Sequence, residues 1–512
     1  MGIRKLVFFG AVLVPVLLAL GSCATDDATR RTQPTPEERV EGGEADGGVP
    51  EERREGTREQ RGETPGTEET DVPTERSGRQ DSPERLPEER PEVTVDATID
   101  AIIASMTRRQ LIGQLLMPAF IYDRRGQPVT SMGPELQSFI EDVEPGGVLL
   151  FAENIRSPEQ VRTLVAEMQR VAGIPLLVAV DQEGGVVRRL VPTEAMPATA
   201  IPAAGRVGRS GDADLAYELA GVIARELRSL GITVNLAPVA DVATNPENTV
   251  IGSRAYGSDP EEVARIVAAT VEGLQTNGVS AALKHFPGHG DTMEDSHVAM
   301  AVFPHGIDRL RMVELVPFSR GIAAGSDAVM TGHISVPELT GADEPATLSR
   351  AITTDLLRDD LGFDGVVITD ALTMAGLTRY FSAEEIPVRA LEAGADLLLR
   401  PVDARFAADV IARAVADGAL PMERVEASVR RILHLKIRRG LIVPPGEIES
   451  TDKTDRRDPG DEPFGDVAAV SPPDDPERVI YYRPVTFFPE VPVLGIPEHQ
   501  AIVDEIMRRS SR

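Results

Sequence analysis

Three histidines and a lysine fall within the fourteen residues KHFPGHGDTMEDSH, Lys284 to His297, although the 512-residue chain holds only seven histidines and four lysines. Such a cluster is suited to moving protons. Asp295 and His297 stand two apart, within reach of a mutual hydrogen bond. A carboxylate beside an imidazole fixes its tautomer and supports its protonated form, as a general acid and base near neutral pH requires. Two other readings stay open. His285, His289 and His297, with Asp291 and Asp295, have the donor types of a zinc site, although their spacing does not match a helical HExxH pair. A loop whose histidines only satisfy buried carbonyls would also hold them.

The elements around this cluster decide where it can act. From about Val95, short apolar runs alternate with helical patterns: GQLLMPAF, GGVLLF, PLLVAVD, TVNLAPVADV, SAALKHF, DAVMTGHI, DGVVITDAL and ADLLLRP. Eight is the number of strands in a closed (β/α)8 barrel of the TIM type. The segments between them read as crossover helices. SPEQVRTLVAEMQRVAG has a Ser N-cap, and DPEEVARIVAATVEGLQTNG places Pro260 at the first helical position with Gly278 closing. An open doubly wound sheet is disfavoured, because no Gly-rich dinucleotide loop follows the early strands. In a barrel, chemistry sits at the C-terminal strand ends. Asp181 ends LLVAVD, Lys284 and His285 end SAALKH, His333 ends AVMTGH and Asp370 ends GVVITD. Taken alone, Asp370 would read as a helix cap, and Asp181 has the same ambiguity with a weaker case for function. The Lys284–His297 stretch becomes the loop after the fifth strand, turned by Pro287, Gly288 and Gly290 so that Asp295 and His297 return over the mouth.

The flanks differ in kind. Residues 1–22 have Arg4 and Lys5, an apolar run from Leu6 to Leu20, then small residues, the pattern of a secretory signal. Leu20-Gly21-Ser22-Cys23 resembles the lipobox of bacterial lipoproteins, which implies lipidation at Cys23, membrane anchoring and an exported location. Residues 23–94 form a Glu, Arg, Thr, Pro and Gly tether, whose only branched aliphatics between Ala24 and Arg90 are Val40, Val49, Val72 and Leu86. That is too little apolar surface to offset the entropy of ordering. The catalytic barrel is assigned to 95–442. An acidic, Pro-rich tail with a short terminal helix is assigned to 443–512. MERVEASVRRILHLKIRRGL reads as a closing barrel helix with a solvated Arg face rather than as a membrane-binding helix. His305, His434 and His499 read as solvated or locally bonded. The net charge of -29 argues against nucleic acid as a partner.

The Lys284–His297 stretch, together with DQEGG, IGSRAYG and VITDALTM in the same order, resembles the signature blocks of bacterial β-N-acetylglucosaminidases of glycoside hydrolase family 3. The resemblance spans roughly Val95 to Leu441. It implies that Asp370 is the nucleophile, that His297 is the acid/base with Asp295 as its partner, and that Asp181, Arg189, Arg254, Lys284 and His285 hold the sugar. Retention of anomeric configuration follows from those roles. The expected partner is a glycan ending in N-acetylglucosamine, from peptidoglycan fragments first and chitooligosaccharides second. The chain has no Trp, so such a sugar must be held mainly by hydrogen bonds and smaller rings. No cofactor and no metal are implied, and a monomer is the default. Val186 departs from the pattern, standing where the family commonly has Arg. GIPEHQAIVDEIMRRS resembles the segment that leads into the second domain of longer members, so a single catalytic domain with a truncated extension is expected. A retaining phosphorylase on the same site and a non-catalytic, tethered cell-wall-binding lipoprotein are the alternatives.

Overall fold

The computed structural model describes residues 94–444, 468–470, 480–482 and 493–511. The signal segment, Cys23, the tether through residue 93 and most of the acidic tail lie outside the described residues. All eight expected runs contain a strand. They are β1 (Leu116–Met117), β2 (Gly147–Leu149), β3 (Leu177–Val180), β4 (Val234–Asn235), β5 (Ser280–Phe286), β6 (Ala328–Thr331), β7 (Val366–Thr369) and β8 (Leu398–Leu399). Six of these, β2 through β7, form one parallel sheet in chain order. The ring is closed by β1 pairing with β8 in parallel, Leu116 opposite Leu398. Isolated parallel bridges at Ala119–Leu149 and Ile368–Leu397 join β1 to β2 and β7 to β8. The strands are buried on both sides, which is why they read as continuous Val, Leu, Ile and Ala runs without alternation.

The helices cover the outside as amphipathic crossovers. Pro158–Val171 starts at Ser157, whose side chain accepts from the Gln160 N–H. Pro260–Thr276 starts in the same way at Asp259. Each buries a stripe of aliphatics at helical spacing, Val161, Leu164, Val165 and Met168 in the first and Val263, Ile266, Val267, Val271 and Leu274 in the second.

The N-terminal end of the barrel is tied by buried ion networks. Asp327, just before β6, accepts from Ser280 Oγ and pairs with Arg438 at 3.0 Å and Arg439 at 2.9 Å. Asp396, just before β8, is held by Arg358, by Arg431 at 3.2 Å, by Arg424 at 3.5 Å and by Ser428 Oγ at 2.7 Å. On the closing helix, Met422–Arg438, the expected Arg face is only partly solvated: Arg430 and Arg438 keep 40% and 59% of their side chains exposed. Three of its arginines turn to buried aspartates, because the strand starts beneath the helix carry uncompensated carboxylates. Lys436 on the same helix is fully buried and donates to Gln114 Oε1 at 2.5 Å.

The C-terminal residues add two features. Ala468–Val470 pairs antiparallel with Ile480–Tyr482. The helix Pro497–Arg509 belongs to the same compact unit as the barrel, Pro87–Arg512. Its His499 is buried, which corrects the expectation of a solvated or locally bonded side chain. Nδ1 donates to Glu226 Oε1 at 3.2 Å on the barrel helix Ala213–Ser229, and the Gly495 N–H donates to the same oxygen at 2.9 Å. Glu226 is itself buried, and it also accepts from the N–H and hydroxyl of Thr199. A buried carboxylate has to be satisfied by donors from wherever the chain can bring them, here from 273 residues away. His305 is locally paired with Asp291 at 2.8 Å, whereas the partly exposed His434 pairs at 3.1 Å with Asp96 from the far end of the described barrel sequence.

Candidate active site

The polar residues at the strand ends converge on the C-terminal mouth. Asp181 follows β3, and the Lys284 side chain on β5 reaches its Oδ1 at 2.9 Å. Arg189 returns from the loop after β3 to donate to Asp181 Oδ2 at 2.9 Å. Lys284 is shared with Glu183 at 2.7 Å, and Arg254 grips the same Glu183 with two bonds of 2.8 Å. Burial alone would raise both carboxyls, but Lys284 with Arg189 holds Asp181 below its ordinary value, and Lys284 with Arg254 pushes Glu183 down to about 2. Burial works against the Lys284 ammonium as well, yet Asp181 and Glu183 raise it. The network is therefore fully ionised at neutral pH. Asp181 is left with lone pairs for hydroxyl donors, and the Arg189 Nε is buried without a partner among the described residues.

His285 is oriented from behind. Asp241, fully buried after β4, accepts from His285 Nδ1 at 2.8 Å and from the backbone N–H groups of His285 and His289. The Nδ1 proton leaves Nε2 as an acceptor, and Arg254 Nη2 lies 3.3 Å from it. Phe151, beyond the end of β2, carries two guanidinium groups against its ring, Arg189 at 5.0 Å and Arg400 at 5.2 Å from the centroid.

Asp370 follows β7, and its Oδ1 accepts the Ala371 N–H at 2.7 Å. Burial opposes its ionisation, but His333, His285, the Ala371 N–H and Lys284 together outweigh burial and hold the carboxyl below the ordinary aspartate value. His333 is buried behind it. Its Nε2 donates to the Ala371 carbonyl at 3.0 Å, so Nδ1 accepts from Thr347 Oγ1 at 2.9 Å. Burial pushes this imidazole down despite the pull of Asp370.

The loop after β5 leaves along the end of β4. Gly290 passes so close that an added Cβ would lie 1.8 Å from the Val242 carbonyl oxygen, so no side chain is admitted there. Asp295 Oδ1 accepts from His297 Nδ1 at 2.9 Å and from the His297 backbone N–H at 2.9 Å. Burial would raise Asp295, but these two donors hold it below its usual value. The pair is open to solvent, with 63% of the His297 side chain and 42% of that of Asp295 exposed. The Asp295 bond occupies Nδ1 of His297.

The histidines of the cluster do not converge on one point. His285 faces Asp241 and Arg254, His289 faces Thr292 and Ser296, and His297 faces Asp295. Among the described residues no three His, Cys, Asp or Glu side chains come together as metal ligands.

Residues 107–435 match the model of the glycosyl hydrolase family 3 N-terminal domain. The chain belongs to glycosyl hydrolase family 3. It is 36% identical over 367 residues to Beta-hexosaminidase A of Pseudoalteromonas piscicida, a match covering 65% of this chain and 61% of that relative. A Beta-hexosaminidase of Stenotrophomonas maltophilia is 40% identical over 275 residues, 53% of this chain and 80% of its own length. A solved family 3 β-N-acetylglucosaminidase from Paenibacillus sp. superposes with a TM-score of 0.65 at 38% identity, covering 79% of this chain and 69% of that one.

In this family 3 chain, Asp181, Arg189, Arg254, Lys284 and His285 form one hydrogen-bonded group, with Asp370 in electrostatic contact with Lys284 and His285. Asp295 and His297 pair with each other on a separate loop. Sequence reasoning passed over Glu183, Asp241, Phe151 and Arg400. Each lies inside or beside a quoted strand run, but nothing local to Glu183 or Asp241 says that a cation or an imidazole folds over it. Val186 is 77% exposed, so its departure from the family pattern alters the rim and leaves the Asp181–Lys284 network intact.

Proposed function

We propose that this protein is a retaining β-N-acetylhexosaminidase that removes a terminal β-linked N-acetylglucosamine. The Asp370 carboxylate attacks the anomeric carbon while the His297 imidazolium gives its proton to the glycosidic oxygen. The carbon–oxygen bond breaks, the aglycone leaves as an alcohol and a glycosyl-aspartate forms. His297, now neutral, takes a proton from water as that water's oxygen attacks the same carbon and releases Asp370. Two inversions give net retention. Asp295 stabilises the imidazolium and keeps Nε2 directed away from its own carboxylate. Asp181, Arg189, Arg254, Lys284 and His285 hold the sugar's hydroxyls and N-acetyl group.

The reading is carried by one pairing: an ionised aspartate at the end of β7, and an Asp–His dyad whose loop is hydrogen-bonded to the segment following that aspartate, at Gly376. The names of the relatives support the N-acetylhexosamine specificity. Fragments of the cell wall are the proposed natural substrate, with chitooligosaccharides second. We also propose that the chain is exported and anchored by lipid on Cys23, supported by the Leu20-Gly21-Ser22-Cys23 sequence, and that it acts as a monomer. Loss of membrane partitioning in Cys23→Ser would test the anchor.

The decisive assay is release of nitrophenol from p-nitrophenyl N-acetyl-β-glucosaminide, beside the matching glucoside and Asp370→Ala. Turnover of the N-acetyl substrate that the substitution abolishes is expected. An imidazole acid/base carries no negative charge to repel phosphate, so a phosphorylase is the second reading. Formation of a sugar 1-phosphate on adding inorganic phosphate would favour it. No turnover by folded protein, with or without phosphate, would refute both.

A further inference from the structure

Between the two exposed members of the dyad sits Ser296, which is buried to 2% exposure. Its neighbours face solvent while it faces the protein, so whatever holds Ser296 also sets where Asp295 and His297 point. Two contacts hold it, and they come from different parts of the barrel. Its hydroxyl meets His289 Nε2 at 3.1 Å, and its carbonyl accepts the Gly376 N–H at 3.1 Å. Gly376 lies six residues beyond Asp370, in the short helix Ala375–Thr378.

The hydrogen bonds around His289 form a consistent set. Thr292 Oγ1 donates to the His289 carbonyl at 2.9 Å and lies 2.6 Å from Nδ1, so Nδ1 carries the proton and donates to that oxygen. The other ring nitrogen, Nε2, is then an acceptor for the Ser296 hydroxyl. The His289 backbone is fixed in turn by its N–H to Asp241 Oδ1 at 2.7 Å, the carboxylate that also orients His285. On the other side the contact is sterically exclusive: a Cβ on residue 376 would lie 2.6 Å from the Ser296 carbonyl oxygen and 3.2 Å from that of Ala299.

We propose that Ser296 is a positioning residue, and that the His289–Ser296–Gly376 latch locks the proton-transfer dyad to the loop bearing Asp370. The proposal rests on the acid/base role assigned to His297 above. It gives the crowding of histidines in Lys284–His297 a division of labour: His285 faces the sugar site, His289 anchors the loop, and His297 moves the proton. Without the latch, the Asp295–His297 pair remains bonded to itself but no longer has a fixed place relative to Asp370. Proton transfer depends on that geometry, whereas attack by Asp370 on a sugar with a self-sufficient leaving group does not.

That difference supplies the test. The full chain, Ser296→Ala, Gly376→Ala and His297→Ala are compared by kcat/KM on two substrates, N,N′-diacetylchitobiose and 2,4-dinitrophenyl N-acetyl-β-glucosaminide. The first has a poor leaving group that needs the acid, and the second does not. For Ser296→Ala and Gly376→Ala the expected loss is about tenfold to a hundredfold on the disaccharide, within the range of general acid catalysis. On the dinitrophenyl substrate the expected loss is below about twofold, with His297→Ala giving the same pattern more steeply. An equal loss on both substrates, or no loss on either, would overturn the latch. Hydrogen exchange provides a readout that does not need activity: amides of residues 291–299 should lose protection in both latch variants, and unchanged protection would also overturn it. If the unaltered protein turns over neither substrate while the latch variants lose protection, the hydrolase reading fails and the latch stands.

Discussion

Lys436→Met is expected to stabilise this protein near neutral pH. The ammonium is completely buried in the closing helix, its one hydrogen-bond acceptor among the described residues is the neutral Gln114 Oε1, and burial pulls its pKa from an ordinary 10.5 down to about 7. At about 1.4 kcal/mol per pH unit, that gap corresponds to about 5 kcal/mol of folding free energy. The folded pKa lies below the unfolded one, so the unfolded chain binds the proton more readily between the two values. Stability from this group therefore rises as pH climbs from about 7 to about 10.5 and is flat below that window. Methionine has a similar length and no charge to desolvate, but it leaves Gln114 Oε1 unpaired at a cost of about 1–3 kcal/mol. The net expectation at neutral pH is a gain of about 2–4 kcal/mol, shrinking as pH approaches 10. Urea unfolding of both proteins at several pH values from neutral to about 10 measures it. A variant less stable at neutral pH, or a difference that does not change with pH, would refute the reasoning and mean that the folded protein solvates the charged lysine.

Four further outcomes follow from the buried contacts described above. Lys284→Met should lower stability by about 3–5 kcal/mol, read by thermal unfolding, because Asp181 and Glu183 then share the buried site without their common cation. Glu183 contributes stability that is fully present above its ordinary value of 4.5 and is lost as pH falls through about 2, so Glu183→Gln should flatten the acid side of the stability profile. Asp241→Asn should lower kcat/KM on the N-acetyl substrate by about tenfold or more, as loss of a buried group orienting a site residue does, because Nδ1 of His285 loses its carboxylate. Glu226→Gln should release the helix Pro497–Arg509 from the barrel, seen as faster hydrogen exchange in residues 497–509.

The barrel was legible because its signals are local. Each strand is a short apolar run and each crossover helix carries its own cap and period, so eight runs and helices such as Pro158–Val171 could be counted without knowing what touches what. The candidate residues were legible for a related reason: a barrel places chemistry at strand ends, and Asp181, Lys284, His285, His333 and Asp370 stand at the ends of runs. What the residues bond to was not legible. Lys284 meets Asp181 across 103 positions and His499 meets Glu226 across 273, distances over which no pattern in the chain carries information. Packing of strands and helices chose those partners, since a buried polar group takes whichever complementary group the fold brings within reach. The same holds for Ser296, an unremarked serine between two conspicuous residues, which the packing of Gly376 and His289 turns inward. Sequence alone decided the order of the strands and the chemical types available at their ends. Only the tertiary structure decided which of those groups are buried, paired and charged, because desolvation and Coulomb energy depend on distance in space and not on position along the chain.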